Sequence, residues 1–292
     1  MRVLIPAALS VAFLAAACAT QEREAEGAPR RQSIVAVTES GQLVRFNAGQ
    51  PRRVTVIGTV NGLAANERLV GIDYRVARGV LFGLGSSGRI YTIDTQSAAA
   101  KPVGAEPLAI ALSGGEFGFD FNPAADRIRI VSNTGQNFRA HPDTGAAVDG
   151  DPNVAGTQPD ATLAYAAGDA NARQPPRVVG AAYTYNKQND KITTNYALDA
   201  TTGSLVTQGS KEGATPAVSP NTGQLFTVGS LGVARFQRAG FDIADVNNAA
   251  FAALNHDEAT ATRFYEVNLA TGKATFIGTV GGELLRGIAI EP

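Results

Sequence analysis

The feature that most constrains this chain is a short motif that returns along it. A glycine, then an apolar or small residue, then aspartate or alanine appear as Gly71-Ile72-Asp73, Gly118-Phe119-Asp120, Gly180-Ala181-Ala182, Gly240-Phe241-Asp242 and Gly287-Ile288-Ala289. Consecutive copies lie about 47 to 62 residues apart, near the spacing of propeller repeats. Short runs of period-two alternation accompany them, punctuated by Gly, Asn and Asp. Five such runs align: Leu43–Asn47, Ile90–Asp94, Phe138–Pro142, Tyr196–Ala200 and Phe264–Asn268. Turns such as Asp143-Thr144-Gly145, Thr201-Thr202-Gly203 and Ala270-Thr271-Gly272 follow them. The fullest copy runs from Phe117 to Gly145 and holds the densest group of polar residues in the chain.

This pattern predicts an all-β fold, a β-propeller in one domain over residues 34–292. Each repeat is a four-stranded antiparallel sheet, and one sheet cannot bury both its faces, so the sheets must stack around a channel. The last motif copy has no chain after it to complete a blade, and the strands from Ile34 to Val60 lack an opening strand. Pairing the two ends makes one whole blade and removes the free edges. Five copies give five blades. Extra strand signal from Pro216 to Gly229 is either the outer strand of the fourth blade or part of a sixth. Asp245–Leu254 is Ala-rich and reads equally as a short helix or as a strand within Ala249–Leu254. From Asp149 to Pro176 the pattern loosens into a long insertion between the third and fourth blades, a common place for a binding surface.

Composition narrows the function classes. With 25 Lys+Arg against 26 Asp+Glu the net charge is -1, so no global field draws nucleic acid or anionic lipid. One Cys excludes an intrachain disulfide, and with only two His, far apart in sequence, the composition argues against a zinc site built from Cys and His. That lone Cys18 ends the apolar run Val3–Ala17, which is short for a membrane span of roughly 20 residues. Residues 1–18 read as a signal peptide. The run Leu14-Ala15-Ala16-Ala17-Cys18 resembles a bacterial lipoprotein signal, with Leu14 one place early and Ala15 where Leu is usual. The resemblance implies lipidation at Cys18; cleavage at a small-x-small site, or an incidental Cys, are the alternatives. Ala19 in place of Asp implies the outer membrane. Residues 19–33 are charged and small, as expected of a flexible tether. The expected location is therefore the cell envelope, outer membrane or periplasm, reached through a lipid anchor.

The Phe117–Gly145 stretch carries a resemblance of its own. Arg127, Arg129, Ser132-Asn133, Gly135-Gln136-Asn137 and Arg139, together with Leu225–Val233 and Gly240–Ile243, resemble an uncharacterised bacterial family known as a domain of unknown function in secreted or cell-surface proteins. The resemblance covers the chain from about Ile34 onward and implies an export signal and a propeller-like fold. It implies no activity.

Three groups of residues are candidate sites. Asp73, Asp120 and Asp242 share one repeat position, so on the innermost strands they form an acidic arc at one end of the channel that could hold a cation; Ala182 and Ala289 break the ring. The structural alternative is that each accepts backbone N–H bonds nearby. Arg127, Arg129 and Arg139, with Asn133, Gln136 and Asn137, suit an anion or the hydroxyls of a sugar. Alternatively, Arg129 pairs with Asp120 or Asp73 and locks adjacent strands. Asp149, Asp151 and Asn153, with Asp160, have the spacing of a calcium loop, but Val154 stands where that loop needs Gly, and an Asx-rich turn is the simpler reading.

No nucleophile elbow or Walker loop is present. The leading expectation is a binding module for an envelope protein, a glycan or a small anion. The alternative is a propeller hydrolase or lactonase with acids or a metal at the channel mouth, and the fold alone does not separate the two.

Overall fold

A computed structural model describes residues 24–292; residues 1–23, and with them the signal peptide, Cys18 and the first part of the tether, lie outside the described residues. The chain forms five antiparallel blades. The first contains β1 (Ser33–Thr38), β2 (Gln42–Asn47) and β3 (Thr55–Thr59). The second contains β4 (Leu69–Arg75), β5 (Val80–Gly85), β6 (Ile90–Ile93) and β7 (Ala100–Val103). The third contains β8 (Phe117–Asn122), β9 (Arg127–Ser132), β10 (Asn137–Ala140) and β11 (Ala147–Val148). After β12 (Ala164–Tyr165) the fourth blade is built from β13 (Val178–Tyr183), β14 (Asn195–Asp199), β15 (Ser204–Gln208) and β16 (Gln224–Ser230). The fifth comprises β17 (Phe236–Ile243), β18 (Ala250–His256), β19 (Arg263–Val267) and β20 (Ala274–Thr279). Finally β21 (Leu285–Ile290) returns to the first blade and pairs with β1, Val35 opposite Ala289.

The closing pair is the one the repeat pattern requires, and the sheet order β21-β1-β2-β3 makes the last strand innermost. The five motif copies all lie on innermost strands: β4, β8, β13, β17 and β21. Their glycines have a steric reason. A Cβ at Gly118 would stand 2.7 Å from Ala181 N, and one at Gly240 2.8 Å from Ile288 N, both on the next inner strand. At Gly71, Gly118 and Gly240 the inner strands thus approach each other more closely than a side chain allows, whereas at Gly287 a Cβ would meet only ordinary contacts.

Two expectations resolve and one shifts. The Pro216–Gly229 signal is β16, the outer strand of the fourth blade, so five blades it is, with β12 added parallel to β16. The Ala-rich stretch enters β18 and is strand from Ala250. The Tyr196–Ala200 run, however, is not equivalent to the other four. Those lie on the third strands β2, β6, β10 and β19, whereas Tyr196–Asp199 belongs to β14, the second strand of its blade. In that blade a long loop, residues 184–194, separates the first and second strands and moves the Thr-Gly turn one strand earlier. Period-two alternation looks alike in every strand of a blade, so the sequence pattern does not distinguish them.

Apolar clusters fill the joints between neighbouring blades, for example Phe46, Phe251, Phe264 and Ile288 between the fifth and first. The joint of the third and fourth blades has a small apolar cluster around Val131, Val178 and Leu225, and much of the joint is polar instead. From Glu24 onward the segment expected as a tether is largely exposed but makes polar contacts with the propeller. Glu24 accepts from the N–H and hydroxyl of Thr279 (both 2.9 Å), and Arg30 pairs with Glu266 at 2.8 Å. Its charges find partners on outer strands, which composition alone does not reveal.

Candidate functional site

The inner strands deliver different side chains to the two ends of the channel. At the end where they exit, Asp73 on β4, Asp120 on β8 and Asp242 on β17 converge, all buried, with a carboxylate oxygen of each within 4.8 Å of the others. Each also reaches one blade onward. Asp73 accepts from Phe121 N at 2.8 Å, Asp120 from Tyr183 N at 2.9 Å, and Asp242 from Ile290 N at 2.6 Å. Asp242 additionally accepts from Ile243 N at 2.6 Å. The acidic arc and the backbone-acceptor role, set out above as alternatives, therefore coexist in the same three residues. Each aspartate has a donor from the next blade, to which local donors such as Ile243 N add.

Burial and mutual repulsion make this cluster hold protons unusually strongly. The Asp73 carboxyl is pushed well above the ordinary range by burial and then by Asp242. Asp120 is raised by burial and then by both other aspartates. Asp242 is raised to about 7, mainly by burial. Tyr185, just beyond β13, is also raised, by burial and then by the three carboxylates. Among the described residues no Lys or Arg forms an ion pair with any of the three; the arginines of this region pair with Asp126, Asp143 and Asp160 instead. A depression of about 210 Å³ covers this mouth, lined by residues that follow the inner strands, among them Val76, Pro123, Tyr185 and Asp245.

The opposite mouth was not singled out in the sequence. Arg68, Glu116, Arg177, Arg238 and Arg286, one from each blade, stand one to three residues before the motif glycines. Arg238 holds Glu116 through two contacts, 2.7 and 2.8 Å, and also pairs with Glu39, which Arg286 meets at 2.5 Å. In the sequence the only signal for this ring is a charged residue before each motif glycine, at an offset that varies and with Glu116 among the arginines. Between the two mouths the channel is pinched to about 10 Å³ of free space.

The polar block of the third blade works inside the protein. Arg129 is 2% exposed; its guanidinium donates to Asp160 Oδ2 (2.6 Å), Asn137 Oδ1 (2.8 Å), Asn221 Oδ1 (2.6 Å) and Tyr183 OH (3.2 Å). Arg139 donates to both oxygens of Asp160, at 2.8 and 2.7 Å. The partner of Arg129 is thus Asp160, in place of the expected Asp120 or Asp73. It arrives on the 149–176 insertion, whose path the repeat pattern does not describe. Asn133 Oδ1 accepts from Gly115 N at 3.1 Å, Gln136 holds Ser113 N and Ala111 O, and Arg127 donates to the carbonyl of Asp126 at 2.8 Å. These residues pin loops and do not form one anion-facing surface.

The calcium-loop geometry is not formed either. Both oxygens of Asp160 are engaged by arginine, while Asp149 and Asp151 accept backbone N–H bonds from Asp151, Gln158 and Asn153 in successive Asx turns.

The family model described as a domain of unknown function, DUF4394, matches residues 42–289. The chain belongs to this family. A search of curated proteins found no match. Among solved structures, this DUF4394 chain is similar to one in a nidogen/laminin complex, with a TM-score of 0.47 and 11% identity over 89% of this chain and 98% of that one. It is also similar to a protein from Bacteroides fragilis NCTC 9343 described as a candidate 6-phosphogluconolactonase, with a TM-score of 0.44 and 10% identity over 89% and 97% of the two chains. A Bacteroides thetaiotaomicron VPI-5482 protein of unknown function gives a TM-score of 0.43 and 11% identity over 85% and 58%. At such values these likenesses carry no argument about this chain. The propeller of this DUF4394 protein is established by its own sheet topology.

Proposed function

We propose that this DUF4394 protein is a binding module of the cell envelope that holds a divalent cation at the acid mouth of its channel. One observation carries the reading: three buried carboxylates with oxygens within 4.8 Å of one another, and no Lys or Arg paired with them among the described residues. Buried charges of one sign must be neutralised by protons or by a counter-ion. The donor set is all oxygen, which suits a hard cation such as Ca²⁺ or Mg²⁺. Asp73 and Asp120 each accept a backbone N–H from the next blade and are hydrogen-bonded to each other, so a cation would take the place of the proton between them. A cation there would tie β4, β8 and β17 together and would present a charged centre to a protein, glycan or anionic ligand at the mouth.

The test is calorimetric titration of Ca²⁺ and Mg²⁺ into chelator-treated protein. Saturable binding with proton release is expected, lost in Asp120→Asn. At 100 times the Kd the metal should add roughly 2.7 kcal/mol of stability. No heat and no rise in melting temperature across neutral pH would overturn the reading. Envelope location rests on the signal-like residues 1–18 ending at Cys18. Cys18→Ser should leave the membrane fraction; retention there by the variant removes the lipid anchor from the proposal.

A further inference from the structure

A second site emerges from comparing the blades position by position. The residue after the motif lies on each inner strand and pairs directly with one residue on the second strand and, through it, one on the third. In the first blade this row is Ile290, Ile34 and Phe46. In the second it is Tyr74, Leu81 and Ile93, in the third Phe121, Ile128 and Ala140, and in the fifth Ile243, Ala250 and Val267. These four rows are core. In the fourth blade the same row reads Tyr183, Asn195 and Gln208. Two amides thus replace buried apolar side chains, and both remain buried, 2% and 1% exposed.

Internal bonds account for part of this. Gln208 Nε2 donates to Asn137 Oδ1 at 2.9 Å and to the Pro220 carbonyl at 2.8 Å, and Asn195 Nδ2 donates to Gln208 Oε1 at 3.2 Å. The Arg129–Asn137 pair beneath therefore positions Gln208, and Arg129 also holds Tyr183 OH. One atom is left over: Asn195 Oδ1 is buried with no partner. An orphan acceptor of this kind costs free energy unless something donates to it.

All three residues line a cleft of about 430 Å³ between the 184–194 loop, the 209–220 segment and the turn after β8. Loop 184–194 is the lengthened connection that sets this blade apart. Lys191 and Lys211 stand at the exposed rim, and neither is in an ion pair among the described residues. Lys211 Nζ lies 5.9 Å from the centre of the Tyr196 ring. The neighbouring Glu212 carboxylate accepts from Asn186 Nδ2 at 3.4 Å.

We infer that this cleft binds a small polyhydroxylated acid. A hydroxyl donates to Asn195 Oδ1 on the floor, and the carboxylate or phosphate meets the two lysines at the rim. The cleft is separate from the acid mouth and needs no cation.

The experiment is titration of the purified full chain, with chelator present, against gluconate, glucuronate, glucose and inorganic phosphate. Both acids should bind, with glucose weaker by about tenfold, the worth of a charge-assisted contact. Replacing Lys191 and Lys211 by Ala should reduce affinity for the acids to that of glucose without moving the melting temperature. Asn195→Leu with Gln208→Leu, which gives this row the apolar character it has elsewhere and leaves no amide oxygen unpaired, should lose acids and glucose alike while the cooperative melt is retained. Asn195→Asp, which keeps the acceptor and adds a charge, should lose the acids and retain glucose. Failure of all four probes to bind overturns the assignment, as does acid binding that survives both the lysine and the leucine variants unchanged.

Discussion

The two mouths of the channel are made by the same five strands and yet solve opposite electrostatic problems. At the exit mouth three aspartates crowd together with no cationic side chain paired to them among the described residues, and they respond by holding protons. At the entrance mouth two of the four arginines, Arg238 and Arg286, are ion-paired with Glu39 and Glu116, so cationic and acidic side chains meet within the protein. The acid mouth repeats aspartate at one motif position in three of the five blades, and the other mouth carries a charged residue one to three positions before the motif glycine in all five. The acid mouth is three-fifths complete, since Ala182 and Ala289 supply no carboxylate. The comparison teaches that repetition supplies proximity, and that the neighbours decide whether the proximity is quenched or left available.

The last strand reaches both mouths: it carries Arg286 at one and offers Ile290 N to Asp242 at the other. Removing Leu284 to Pro292 should therefore have the largest effect, loss of the cooperative melt, because it opens the closing blade and exposes the edge of β1. Circular dichroism with a thermal ramp reads this directly, and a full cooperative transition in the truncated protein would break the closure model.

A smaller effect separates the mouths by pH. Asp242 binds its proton more tightly folded than unfolded, from 3.8 to about 7. Protonation of this residue thus contributes stability that is complete below about pH 4 and is lost as the pH rises through about 7. Denaturant unfolding of the metal-free protein and of Asp242→Asn, which keeps an acceptor for Ile290 N, should show their stability difference shifting against the wild type across this window. A bound cation should remove that loss. A pH-independent difference would mean that the carboxylate is not held as described.

The smallest effect belongs to the arginine mouth. Glu39→Gln removes the carboxylate between Arg238 and Arg286, and its partly exposed pairs should be worth about 1 kcal/mol or less. Added salt should shrink the difference from wild type. Salt sensitivity at one mouth and pH sensitivity at the other would sharpen the contrast; equal responses to both would erase it.

Much of this architecture was legible in the chain because a repeat is written many times. The motif glycines, the five blades and the pairing of the two ends all follow from spacing and alternation. So does the convergence of Asp73, Asp120 and Asp242, since equivalent positions on inner strands must face one channel. What departs from the repeat was not legible. The partners that the motif offers Arg129 are Asp120 and Asp73, whereas its actual partner Asp160 comes from an insertion with no periodicity. The Tyr196 run was aligned with third strands, and a loop of irregular length put it on a second strand. The arginine ring escaped notice because it varies from one to three residues before the glycine and includes Glu116.

By itself, then, the sequence determined the radial plan of this protein, because local alternation and a recurrent period leave few ways to bury both faces of each sheet. The tertiary structure decided which polar groups are spent and which are spare. Whether a carboxylate or amide finds a partner depends on atoms tens of residues away, as Asp160 and Asn221 show for Arg129, and Asn195 Oδ1 shows by finding none. Hydrogen bonds and ion pairs act over a few ångströms of space, and separation along the chain does not fix that distance.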